Sequence, residues 1–152
     1  MAHDVQVKEI PSQLALTVHA HASMATVAEA LGEAFTSIMT AAEATGARYV
    51  APPFALYPAE VTAEFEVVVC MPVIAGSTPS GDVQLEEIPG GTMASTTHHG
   101  PYSSLGAAYG DLQAWMVANG KKPSGPCREV YLNEPDKVSP EEILTEIDWP
   151  FI

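Results

Sequence analysis

The sequence predicts an α+β domain. It reads as a pseudo-twofold duplication of a strand-helix-strand-strand unit, with an antiparallel sheet, two main helices and a groove between the halves. Three observations carry this. Two amphipathic helix patterns stand far apart in the chain, similar strand signals flank each of them, and the stretches after the two helices align without a gap.

The first half opens with "VKEIPSQLALTVH", an Ile-Pro followed by alternating strand residues. A helix is expected after Ser23, in "MATVAEALGEAFTSIMTAAEATG". Met24, Val27, Leu31, Phe35, Ile38 and Ala42 recur at three- and four-residue steps and make one apolar stripe. Ser23 suits the N-cap and Gly46 the C-terminal stop. Two strands follow, "PPFALY" and "FEVVVCMPV", and the connector "STPSGD" (77–82) leads on.

The second half repeats the pattern. "LEEIPGGTMASTTHH" is its Ile-Pro strand, and "PYSSLGAAYGDLQAWMVANG" its helix. Pro101 suits the first helical position and Gly120 the stop, while Tyr102, Leu105, Tyr109, Leu112 and Trp115 or Met116 form the stripe. Gly106 and Gly110 weaken this helix, which points to close packing or a ligand's approach there. "PCREVY" and "ILTEIDWPF" complete the unit, separated by the loop "NEPDKVSPEE" (133–142). The spacing from Gly46 to Tyr57 equals that from Gly120 to Tyr131. The period of about 75 residues is longer than that of solenoid repeats. The expectation is therefore one domain over residues 1–152, with halves at approximately 4–76 and 82–152.

Composition limits the function classes. Of the 152 residues, 47% are hydrophobic and 16% charged, which suits a folded core and argues against disorder. No apolar run approaches the roughly 20 residues of a membrane-spanning helix. The start "MAHDVQVKEI" has no apolar signal region, so a cytoplasmic protein without a membrane role is expected. Cys70 and Cys127 are then expected to be reduced and packed. No CxxC or HExxH spacing occurs. His98 and His99, adjacent on a strand, point to opposite faces, so no metal and no cofactor are expected. The net charge of -13 with only six basic residues argues against direct nucleic-acid binding and favours cations over anions.

One charge stands out. In "GPCREVYLNEP" Glu129 lies mid-strand and shares a face with Cys127 and Tyr131, while Arg128, Val130 and Leu132 face the other way. Its counterpart in the first half is Ala55. Phe54 matches Arg128, Leu56 matches Val130, and Tyr57 matches Tyr131. One copy of the scaffold does without the carboxylate, as expected of a site charge. The structural alternative is a pairing with Arg128 or a backbone amide. If buried, Glu129 has a raised pKa, and a bound cation opposes that shift. Tyr57 and Tyr131 share its face and stand ready to flank a planar ligand. Tyr102 and Tyr109 lie on the core stripe, yet a buried hydroxyl needs a partner and a groove supplies one. Trp149 alternates with Ile147 and Thr145, as a core or a groove residue, and Trp115 reads as core. His99, before "GPY", reads as a surface or capping residue first and as a proton carrier second.

Taken in order, "VKEIPSQLAL", "SMATVAEALGEAF", "PPFALYP", "IPGG", "HHGPYSSLGAAYGDLQAW", "REVYLNEP" and "LTEIDWPF" resemble the gyrase-inhibitor-like (GyrI-like) small-molecule-binding domain. That domain is the effector-binding domain of multidrug-sensing transcription regulators. The resemblance runs from Val5 to Pro150 and implies the duplicated fold read above. It also implies a groove for bulky hydrophobic, often cationic molecules, with a buried glutamate on the strand matching "REVYL", here Glu129. Some members of the family hydrolyse cyclopropane-bearing electrophiles, and others act on DNA gyrase or sequester toxins. No helix-turn-helix precedes Val5, so a stand-alone domain is expected. The expected function is binding of hydrophobic, cationic or electrophilic compounds by Glu129, with Tyr131, Tyr57, Phe54, Tyr102, Tyr109 and Trp149 as the walls. The alternatives are a cyclopropanoid hydrolase with Glu129 as its catalytic group and a protein-interaction role such as gyrase inhibition. The sequence leaves open whether the chain is an enzyme and whether it forms a homo-oligomer.

Overall fold

At the start of each half a further strand precedes the Ile-Pro, where the sequence predicts only the strand that follows it. The first strand, β1 (Gln6–Ile10), ends before Pro11, and β2 (Gln13–Ala22) begins beyond it. In the second half β5 (Gln84–Ile88) ends before Pro89, and β6 (Gly91–His99) follows. Proline has no N–H to give to a ladder, so the strand must stop and the chain is free to turn. Each unit thus has one strand more than the strand-helix-strand-strand pattern. The computed structural model describes residues 3–46, 49–60, 62–74 and 81–152, so Ser77 to Ser80 of the connector lie outside the described residues.

The rest follows the expected order. After β2 come α1 (Val27–Thr45), β3 (Phe54–Tyr57) and β4 (Phe65–Pro72). After β6 come a 3-10 turn (Tyr102–Ser104), α2 (Leu105–Ala118), β7 (Cys127–Tyr131) and β8 (Leu144–Pro150). Gly46 and Gly120 end the helices with φ of 70° and 66°, the left-handed conformation that glycine adopts freely. The first helix starts later than expected. The Ser23 carbonyl accepts the Thr26 and Val27 N–H groups in a turn, Thr26 takes the N-cap position, and Met24 is left exposed outside the helix.

All eight strands form one antiparallel sheet in the order β1-β6-β8-β7-β3-β4-β2-β5. If the halves are exchanged, the order reads the same from the other edge. The centre is the β3–β7 pair, where the repeat-related residues Ala55 and Glu129 lie directly opposite each other. The edge strands are exchanged: β1 pairs with β6 of the second half and β5 with β2 of the first. β5 and β6 lie near opposite edges, yet only Pro89 and Gly90 separate them. Three peptide steps reach about 11 Å, so the sheet must curl until its edges approach. The two Ile-Pro crossovers touch where it closes. A Cβ on Gly90 would lie 1.9 Å from the Ile10 carbonyl oxygen, and the Gly90 N–H donates to Ser12 Oγ at 3.2 Å.

Both helices cover one face. Ala34, Ile38, Ala41 and Ala42 of α1 pack on Leu16, Val69 and Met71, and Leu105, Ala108, Leu112 and Met116 of α2 pack on Ala94, Cys127, Ile147 and Trp149. The other face turns inward on itself around Ala15, Phe54, Cys70 and Ile88. Gly106 and Gly110 are not packing devices, because a Cβ on either would meet nothing within 4 Å. Cys70 and Cys127 are free and buried. Among the described residues no helix is long and apolar enough to cross a membrane.

Candidate functional site

Strand alternation sends Cys127, Glu129 and Tyr131 of β7 to the helix-covered face and Arg128 and Val130 to the other. The seam between the halves therefore carries a carboxylate at its middle. The neighbours of Glu129 across the ladders are Ala55 and Ile147, and Val69 lies beyond Ala55. On this apolar floor Glu129 keeps only 9% of its surface exposed. Burial raises its pKa, against the pull of two hydroxyls that favour the ionised form. Tyr109 Oη donates to Oε2 at 2.5 Å and Tyr131 Oη to Oε1 at 3.0 Å. Among the described residues no basic side chain pairs with this carboxylate.

The rings around it come from both halves. Tyr131 meets Phe35 of α1 and Tyr102 of the 3-10 turn edge-on, each with centroids 5.9 Å apart. Tyr109 stands edge-on to Trp149 at 6.1 Å, and Tyr57 tilts against Phe65 at 6.2 Å. Burial first, and then the charge of Glu129, push the Tyr57 and Tyr131 hydroxyls up. Burial, with Cys127 and Glu129 nearby, does the same at Tyr109. All three stay neutral donors at physiological pH. The Cys127 thiol donates to Tyr109 Oη at 3.7 Å and is pushed up to about 12, chiefly by burial, so it is a packed thiol and not a nucleophile. Tyr102 is 40% exposed and marks the open side of the ring set.

The structure brings Glu129, Tyr131, Tyr57, Tyr102, Tyr109 and Trp149 together. Tyr109 leaves the core stripe to bond Glu129, and Trp149 is buried beneath it against α2. Phe54 does not join them. It is one residue out of phase with Ala55, so alternation turns it to the inward face, where it is 1% exposed beneath Arg128. Phe35, which the sequence places on the helix stripe, joins them instead, because the first half's helix faces the second half's tyrosine across the seam. Thr145 Oγ1 and Trp149 Nε1 are buried on this same face without a hydrogen-bond partner among the described residues. Among the described residues no cluster of three His, Cys, Asp or Glu side chains is placed to hold a metal ion.

Solved structures share this architecture. The EcmrR C-terminal domain is 26% identical, with a TM-score of 0.87, over 100% of this chain and 99% of that one. In the EcmrR–DNA complex the match is 25% identical with a TM-score of 0.86, over 99% of this chain and 58% of that one. Two more distant structures share the fold. A hydrolase encoded by lin2189 from Listeria innocua is 14% identical, with a TM-score of 0.72 over 97% of this chain and 91% of that one. SAV2435 bound to tetraphenylphosphonium is 11% identical, with a TM-score of 0.70 over 98% of this chain and 94% of that one. No curated protein matches the sequence. The sequence pattern of the GyrI-like small molecule binding domain matches residues 3–152, nearly the whole chain, and the protein belongs to that family.

Proposed function

We propose that the protein binds lipophilic cations at the seam between its halves, with Glu129 as the counter-charge and Tyr57, Tyr102, Tyr109, Tyr131 and Phe35 as the walls. One observation carries this reading: Glu129 is buried among rings, and among the described residues its hydrogen-bond partners are two neutral hydroxyls. A buried carboxylate without a counter-ion is costly, and a cation with apolar substituents removes that cost while its substituents lie against aromatic faces. The SAV2435 structure holds tetraphenylphosphonium, so this fold accommodates such a molecule.

The test is a fluorescence titration with tetraphenylphosphonium, read through Trp149 beside Tyr109, for the wild type and Glu129→Gln in parallel. A tenfold or greater loss of affinity in the variant, about 1.4 kcal/mol, is expected, with little change for a neutral ligand of the same shape. Equal affinity for cation and neutral ligand would reject the electrostatic role.

A second reading has its own support. A carboxyl with a raised pKa beside phenolic donors suits a general base that activates water against a strained electrophile. Incubation with a cyclopropane-bearing alkylator followed by product analysis separates the two: stoichiometric binding of unchanged compound rejects turnover.

A further inference from the structure

Four side chains from three segments of the chain form a single hydrogen-bonded line beside the first turns of α2. Asp111 Oδ2 lies 2.7 Å from His3 Nδ1 and also accepts the His3 backbone N–H at 3.1 Å. His3 Nε2 lies 2.9 Å from His98 Nδ1, and His98 Nε2 lies 2.8 Å from Ser104 Oγ. The two imidazoles are tilted by 31° with centroids 5.2 Å apart. His98 is buried and His3 half-buried, while Ser104 is exposed at the start of α2.

The polarity of this line follows from its end. Ionised Asp111 only accepts, so His3 Nδ1 donates to it. With both rings neutral, His3 Nε2 must then accept from His98 Nδ1–H, and His98 Nε2 is left as an acceptor for the Ser104 hydroxyl. That is the arrangement of a nucleophile, its base and an orienting acid, with a second imidazole inserted before the carboxylate. One added proton reverses it. His98 Nε2 then donates to Ser104 Oγ, and the Ser104 hydroxyl turns to the Pro101 carbonyl, 2.8 Å away. Burial first, then the neighbouring His3, holds the His98 pKa below its ordinary value, which favours the neutral rings. The titratable groups facing His98 are His3 from the N-terminal segment and His99 beside it on β6, with Asp111 of α2 reached through His3. Gly100, itself buried, lies against the pair, and the exposed side is that of Ser104. The Gly100 φ of 134° favours glycine, and a Cβ there would lie 3.5 Å from His98 Nε2 and 3.6 Å from Ser104 Oγ.

We infer that Ser104 is an activated nucleophile, with His98 as its base and His3 and Asp111 as positioning residues, acting on acyl or phosphonyl compounds with a good leaving group. The four groups supply a nucleophile and a route for its proton. They do not supply donors for an oxyanion, so the leaving group has to depart as a stable anion, such as a phenolate or fluoride. With an aryl ester, Ser104 Oγ forms a bond to the acyl carbon and the phenolate leaves, while the hydroxyl proton passes to His98 Nε2 and on to the phenolate. Water then cleaves the acyl-serine by the same proton route and releases the carboxylic acid. This centre shares no residue with the Glu129 site and stands or falls independently of it.

Ser103 provides an internal control, since it is exposed in the same turn. The experiment is labelling of the full chain with a fluorophosphonate, in which an Oγ–P bond replaces P–F, with peptide mass mapping at several pH values. Labelling of Ser104 at least tenfold faster than of Ser103 is expected, rising with pH through the histidine range. His98→Gln should bring Ser104 down to the Ser103 rate. Asp111→Asn should slow it as well, because an amide can donate to His3 Nδ1 and so permits the wrong tautomer along the line. Asp111 lies near the surface, so this variant keeps the test decisive if His98→Gln fails to fold. Equal labelling of the two serines, a flat pH profile, or indifference of Ser104 to both substitutions would each overturn the inference.

Discussion

Arg128 and Glu129 are neighbours on one strand, both buried, and held in opposite ways. Arg128, 3% exposed, faces the closed side of the curled sheet. Its guanidinium lies 4.9 Å over the Phe54 ring, donates to Gln13 Oε1 at 3.1 Å and donates to the Pro89 carbonyl. Its contacts come from β2, β3 and a crossover, so the charge ties the curled sheet together. Glu129 faces the helices and, among the described residues, is met by two hydroxyls. The strand therefore carries a cation held by a ring and two acceptors and a carboxylate held by two hydroxyls, the one that the proposed function gives to a ligand. Burial alone does not tell a structural charge from a functional one; the source of its counter-charge does.

The largest expected effect tests the closed side. Gly90→Ala would place a Cβ 1.9 Å from the Ile10 carbonyl oxygen and 2.5 Å from the Pro11 carbonyl carbon. Both are backbone atoms, so the crossovers must part and the Pro89 carbonyl must leave Arg128. A loss of more than about 3 kcal/mol is expected in urea unfolding. Arg128→Met comes next. It keeps some volume over Phe54 but leaves Gln13 and the Pro89 carbonyl unpaired, for a loss of about 2–3 kcal/mol. Tetraphenylphosphonium affinity of the folded fraction should stay within twofold. A tenfold loss of affinity in this variant would show that the two sides of the strand are not separate.

Glu129→Gln should do the reverse, weakening the cation while leaving unliganded stability at neutral pH unchanged or higher. The folded-state pKa of Glu129 is raised above the ordinary value of 4.5, so the folded chain holds a proton that the unfolded chain has lost. Unliganded stability therefore falls as pH rises from the ordinary glutamate value through the folded one, and the variant lacks that slope. Urea midpoints across pH 4 to 8 check it; identical slopes would place the titration elsewhere.

Asp148 is the group most able to blur that measurement. It is 2% exposed on the closed side, and burial first, then hydrogen bonding to Glu146, raises its pKa to about 7. Its slope has the same sign as that of Glu129 and persists in Glu129→Gln, so only the difference between the two proteins belongs to Glu129.

The smallest effect lies at the sheet edge. His19 bridges Glu66 of β4 at 3.0 Å and Glu86 of β5 at 2.7 Å, and its pKa is raised mainly by Glu86. A raised histidine contributes stability that is complete below its unfolded pKa and is lost as pH rises through the folded one. The pair is about a third exposed and screened by solvent, so His19→Gln should cost about 0.5 kcal/mol at pH 6 and nothing measurable at pH 8.5.

Much of the frame was legible in the sequence because it rests on local periodicity. Both helix stops, the β3 and β7 strands and the Ala55–Glu129 asymmetry follow from spacing alone; that those two residues lie opposite each other comes only from the structure. The exchange of β1 and β5 was not legible: Ile-Pro announces a break, but the partner a strand finds beyond it depends on curling, a property of the whole sheet. The helical phase of Tyr109 suits core and groove alike; only the position of Glu129 across the gap shows where its hydroxyl goes. The Ser104–His98–His3–Asp111 line is built from three separate segments. Its single local trace is the seven-residue step from Ser104 to Asp111, two turns along one face of a helix.

The exchanged edge strands also govern how the chain assembles. Gln6 has to find Ser95, and Gln13 has to find Ile88, before either edge of the sheet exists. Such distant pairings cost loop entropy before they return contact energy, so folding should be slow and all-or-none, with no stable half. The β3–β7 seam matures only when both halves are in place. The proposed ligand at Glu129 then binds the native state alone, and stabilises it by an amount set by its concentration relative to its Kd, expressed mainly as slower unfolding.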